Sequence, residues 1–201
     1  MRVFYVADPM CSWCWGFSST IAEIERELKP EVGFQLVLGG LAPDSEAPMD
    51  AATKRYVQQA WHAVESQTGA KFDHSFWDQC EPKRSTWPAC RAVIAAGERG
   101  REMFTAIQRA YYTEARDPSD RATLVDLGEE LGFDRMDFHT AIDAPETHAR
   151  LEADFALRNE LGVNGFPSIA VERDGEKGAV VHGWSAVEHV RMVLSQLRML
   201  A

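Results

Sequence analysis

The stretch Asp8-Pro9-Met10-Cys11-Ser12-Trp13-Cys14-Trp15-Gly16-Phe17 constrains this chain more than any other. Two cysteines lie two residues apart, directly after the apolar run Val3-Phe4-Tyr5-Val6. That run reads as a buried strand, and the residues from Trp15 to Leu28 read as a helix. Cys11 and Cys14 therefore fall at a strand-to-helix turn, where unpaired backbone N–H groups and the positive end of the helix dipole gather. Such a field favours a thiolate over a thiol at Cys11, expected to be the more exposed of the two. A thiolate attacks disulfides and also leaves well in exchange. Cys14 is one turn further on, in reach of a disulfide with Cys11, so the pattern points to thiol–disulfide exchange. Half of a zinc site and a purely structural pair are the other readings of a CxxC.

The chain has 201 residues, enough for one domain or for one domain carrying an insertion. Its 31 acidic against 21 basic residues give a formal net charge of -10, which argues against nucleic acid as a partner. The most apolar window, Phe34 to Ala42, is too short to span a bilayer, so no membrane is expected. Arg2 leads straight into the first strand with no apolar leader before the motif, so the expected location is cytoplasmic. A reducing compartment disfavours structural disulfides, so the four cysteines read better as redox or metal groups.

Taken in order, Arg2 to Ala7 is a strand, and the helix after the motif has a kink at Gly16, with Thr20 and Glu23 at capping-box spacing. Val32 to Leu38 is a second strand, parallel to the first. Pro43, Asp44, Ser45 and Pro48 form a linker, after which about a hundred residues carry only helical signals. These are Ala51 to Thr68, a short turn at His74 to Gln79, a helix from Trp87 to Glu98 opened by Ser85-Thr86, then Glu102 to Glu114, Arg121 to Leu131 and Arg135 to Ile142. Proline at Pro88 suits a first helical turn. Pro145 to Leu161 is helical, and a loop at Val163 to Pro167 leads into a strand ending near Val171. Arg173-Asp174-Gly175 turns the chain into a returning strand, Gly178 to His182. Ser185 and Glu188 open a last helix by a capping box. The order is β-α-β, a helical block, then α-β-β-α.

That order, with CxxC after the first strand and Gly-Phe-Pro before the third, resembles an α/β thioredoxin-like fold with a helical insertion domain. The chain is similar to the DsbA-like thiol–disulfide oxidoreductases, closest to the FrnE-type branch of predicted disulfide isomerases. The stretches that carry the likeness are Asp8 to Phe17, Arg84 to Ala92, Gly162 to Ser168 and the closing Gly183-to-Leu197 helix. The resemblance implies a thioredoxin-like domain at 1–42 and 145–201 and an inserted helical domain at 43–144. It makes Cys11 the nucleophile, Cys14 the resolving thiol and Pro167 a cis-proline beside them. A cis bond is far less costly before proline than elsewhere, and would turn the Phe166 backbone toward Cys11 for pairing with a substrate strand. Met10, Trp13 and Phe166 are the expected substrate-binding residues. Ser12-Trp13 departs from the Pro-His of periplasmic DsbA proteins, which implies a less oxidising pair, suited to a reductase or isomerase.

Cys80 and Cys90 lie in the insertion and offer either a second redox pair or two packed thiols. No bound cofactor or metal is expected; the reducing equivalents would come from glutathione or a thioredoxin-type donor, and the substrate would be a protein or peptide disulfide. None of the six histidines has metal-ligand spacing. Two other functions stay in view. One is a glutathione-dependent small-molecule isomerase of the kappa-class type, against which Cys14 argues. The other is a non-enzymatic peptide-binding or zinc-stabilised module using Cys11, Cys14, Cys80 and Cys90.

Overall fold

A computed structural model describes residues 1–201. Its centre is strand β1, Arg2–Ala7, whose residues after Arg2 are all buried. Alternation splits the strand between two faces. Val3, Tyr5 and Ala7 face a large core of 39 buried residues, while Phe4 and Val6 face a smaller one of 6. β1 pairs in parallel with β2 (Gly33–Leu38) and antiparallel with β3 (Ser168–Arg173), and β3 turns back into β4 (Glu176–His182). The sheet order is β2-β1-β3-β4.

After β1 the chain forms α1 (Ser12–Gly16) and α2 (Ser18–Glu27). Between β2 and β3 lie α3 (Ala51–Thr68), α4 (Phe76–Gln79), α5 (Trp87–Ala95), α6 (Gly100–Thr113), α7 (Arg121–Glu130), α8 (Arg135–Ile142) and α9 (Pro145–Glu160). A final helix, α10 (Val187–Gln196), follows β4. This is the α/β architecture the sequence order anticipates. No helix is long and apolar enough to cross a membrane.

Several local expectations change. The kink expected at Gly16 is a full break: α1 ends there, and the fully buried Phe17 closes its amide on the Cys14 carbonyl at 3.3 Å before α2 begins. Neither proposed capping box is used. α2 begins at Ser18, which leaves Thr20 inside the helix and buried, and α10 begins after Ala186 instead of Ser185. α5 ends at Ala95, before a short 3-10 turn at Gly97–Arg99, and α6 opens two residues earlier than expected. α3, by contrast, has a strong cap: Asp50 Oδ1 accepts from the amides of Ala52 and Thr53, each at 2.8 Å.

Candidate active site

The carboxyl end of β1 delivers the Asp8-Pro9-Met10 turn, and Cys11 is the N-cap of α1 with extended backbone angles, φ -88° and ψ 115°. Its amide donates to the Asp8 carbonyl and its carbonyl accepts from the Trp15 amide, each at 3.1 Å. Gly16 is needed for the fit of α1 against α3, because a Cβ there would lie 2.7 Å from a methyl of Val64 and 2.9 Å from Thr68.

Both cysteines are buried but unequally: Cys11 retains 6% of its exposure and Cys14 none. The Cys11 thiol points at the Phe166 carbonyl, 3.7 Å away. The Phe166–Pro167 peptide bond is cis, and the buried Pro167 leads directly into β3. Phe166 in turn rests on Gly39, where a Cβ would come within 2.1 Å of its ring. Phe166 thus lies between Gly39, just past β2, and the Cys11 sulfur.

Cys14 lies beneath. Burial pushes its thiol well above the usual cysteine range, and contact with the Cys11 sulfur adds to the rise. The Tyr5 hydroxyl reaches toward Cys14 from β1 and meets no nitrogen or oxygen partner. Tyr112 is similarly buried with its hydroxyl unpaired. Its ring stacks on Trp15 at 5.7 Å, and the Trp15 Nε1 donates to the Lys71 carbonyl at 3.0 Å.

Asp8, read from the sequence only as a turn residue, is fully buried beside the motif. Its Oδ1 accepts from the Met10 amide at 2.8 Å. Its Oδ2 accepts from the Leu41 amide and the Thr86 hydroxyl, each at 2.7 Å. Burial raises its pKa, and the donors from Leu41, Thr86 and Met10 oppose the rise. A polar residue closing an apolar strand immediately before a CxxC was the available signal. Thr86 stands at the N-cap of α5 but caps nothing, because its hydroxyl serves Asp8 and the Ala42 amide instead.

The remaining site residues are distributed differently. Met10, 5% exposed, packs into the large core next to Cys11, and its amide is held by Asp8. Trp13 and Phe166 are half-buried and pack on that core with an edge to solvent. Cys80 and Cys90 are free thiols with separate surroundings. The Cys80 Sγ donates to the Ala115 carbonyl at 3.3 Å, and the fully buried Cys90 Sγ faces Asp8 Oδ2 at 3.6 Å. The four cysteines do not gather into a metal centre, which removes the zinc module built on them; the one three-ligand cluster is His62, Glu65 and His74.

The family model of the DSBA-like thioredoxin domain matches residues 2–195, and the chain belongs to that family. It is therefore an oxidoreductase acting on thiols and disulfides. The chain is similar to a "putative protein disulfide isomerase" from Nitrosomonas europaea, with 29% identity, 98% of this chain and 97% of that one covered, and a TM-score of 0.86. It is also similar to the cytosolic disulfide reductase DsbM from Pseudomonas aeruginosa, at 28% identity over 98% and 99% of the two chains, with a TM-score of 0.79. The structure of DsbM with GSH matches at 27% identity, 99% and 100% coverage and a TM-score of 0.78. No curated protein sequence matches the chain.

Proposed function

We propose that the chain reduces or isomerises disulfides of proteins or peptides in the cytoplasm through the Cys11-Ser12-Trp13-Cys14 pair, with glutathione as electron donor. The observation that carries this reading is the placement of the two sulfurs, with Cys11 keeping 6% of its exposure and facing the Phe166 carbonyl and Cys14 keeping none. The similarity to a cytosolic reductase whose structure was obtained with GSH supports the direction, the donor and the compartment.

In this reading the Cys11 thiolate attacks one sulfur of a substrate disulfide, forms a mixed disulfide and expels the other sulfur as a thiolate, which takes up a proton. Cys14 then loses its proton and attacks Cys11. This closes the Cys11–Cys14 disulfide and releases the second substrate thiol. Two glutathione thiols reduce the pair, leaving as glutathione disulfide, so two electrons pass from glutathione to substrate. The raised pKa of Cys14 keeps it protonated and silent until the mixed disulfide brings a leaving group against it. Trp13 and Phe166 flank the attacked sulfur as apolar contacts for substrate.

The test is trapping by mass spectrometry. Cys14→Ser is expected to accumulate a mixed disulfide through Cys11, and Cys11→Ser is expected to form none. In the unmodified protein at neutral pH, iodoacetamide is expected to label Cys11 well before Cys14. Equal labelling of the two, or a Cys11→Ser variant that still turns over, defeats the assignment.

A further inference from the structure

We propose that His62, Glu65 and His74 form a site for a divalent metal ion of the zinc class, separate from the thiol pair, with water as the remaining ligand. Two imidazoles and one carboxylate are a nitrogen-oxygen donor set that suits zinc with one position left open. The three side chains each present a ligand atom, and these atoms lie within 4.8 Å of one another.

The spacing is already close to that of a coordination sphere. Ligand bonds of about 2.0–2.1 Å at a tetrahedral ion place neighbouring donor atoms about 3.3 Å apart. His74 Nε2 and Glu65 Oε2 are hydrogen-bonded at 3.3 Å, the separation two ligands of one such ion would keep. His62 lies three residues before Glu65 on α3, and residues so spaced share a helix face. Its ring stacks on that of His74 at 4.3 Å between centroids and 13° between planes. His62 is exposed, and turning its ring off this stack would carry its nitrogen to the third corner. His74 is braced from behind by Trp61, at 5.9 Å, and by Phe72, at 6.2 Å. The trio thus has two donors at ligand spacing and a third stacked beside them at the surface.

The site would also tie down a loop that the active-site helix uses. His74 follows the segment leaving α3 through Gly69, which adopts φ 73°, and Lys71 in that segment accepts the Trp15 Nε1–H. An ion joining His74 to α3 would fasten both ends of this loop while leaving the sulfurs of Cys11 and Cys14 unliganded.

The experiment is a titration of the intact chain, with Cys11 and Cys14 held as their disulfide, using zinc chloride and reading histidine side-chain nitrogens by NMR. The imidazole signals of His62 and His74 are expected to move together and to saturate at one ion per chain, while those of His139, His148, His182 and His189 stay in place. Glu65→Gln is expected to weaken binding about tenfold or more, since losing a ligand costs at least as much as the roughly 10–100-fold for losing an outer partner. His62→Asn, at an exposed position, is expected to do the same without disturbing the core. Zinc that moves only cysteine signals, zinc that moves neither His62 nor His74, or an affinity unchanged in both variants overturns the site.

Discussion

The Thr86 hydroxyl donates to the buried Asp8 carboxylate at 2.7 Å, and that bond fastens the start of α5 to the turn that presents Cys11. The same Thr86 oxygen accepts from the Ala42 amide at 3.0 Å, so one side chain joins three segments distant in sequence.

Thr86→Val keeps the shape and removes both bonds. It leaves a buried carboxylate short of one donor and the Ala42 amide short of its acceptor. The expected cost is about 1–3 kcal/mol, read as a lower urea midpoint, because unsatisfied buried groups retain their desolvation penalty. Thr86→Ser keeps the hydroxyl and is expected to lose much less. A valine variant as stable as the parent would show that Asp8 draws its support elsewhere.

Asp154 sets a pH dependence. Its Oδ2 accepts from the Leu38 amide at 2.9 Å, and burial raises its pKa to about 6. The folded chain therefore holds this proton more tightly than the unfolded one, whose aspartate titrates near 3.9. The contribution is fully present below about pH 4 and is lost as pH rises through about 6. Two units correspond to at most about 3 kcal/mol, and less after allowance for the partial exposure of the side chain. Asp154→Asn removes the charge and keeps an oxygen for Leu38. It is expected to raise the melting temperature at about pH 8 and to leave it unchanged near pH 4. A gain of equal size at both pH values would place the effect outside titration.

Gly39→Ala acts on the site through packing. Its Cβ would overlap the Phe166 ring, at 2.1 to 2.7 Å, and so shift the backbone whose carbonyl faces Cys11. Overpacking of this kind costs about 1–3 kcal/mol. The expected signature is a fall in kcat/KM for a disulfide substrate larger than the loss in stability accounts for, measured below the melting transition. Gly178→Ala in β4, where a Cβ meets nothing within 4 Å, is the control and is expected to leave turnover unchanged.

The parts of this fold set by local pattern were legible from the sequence. The apolar run Val3 to Val6 and the β-formers of Val32 to Leu38 marked β1 and β2, and Arg173-Asp174-Gly175 marked the hairpin between β3 and β4. The cysteine pair and Phe166-Pro167 stood out by spacing and by resemblance. What stayed hidden depends on burial by partners remote in sequence. Thr20 looks like a cap until the packing of Phe17 moves the helix start to Ser18. Thr86 looks like a cap until Asp8 claims its hydroxyl. His62 and His74 show no ligand spacing because the loop through Gly69, not a helical repeat, brings them together.

The larger core runs without a break from Val3 and Ile169 in the sheet to Trp61, Phe104 and Leu124 in the helices. The helical block's own interior, where Trp61 packs on Phe76, Trp77 and Tyr111, is therefore continuous with that of the sheet. Grafting it whole onto another sheet would expose the faces it shares with β1, and swelling one half in denaturant would drag the other with it. Adaptation in this chain has to proceed by side chains at the seam, since exchanging the block as a cassette would cut through the core it shares with the sheet.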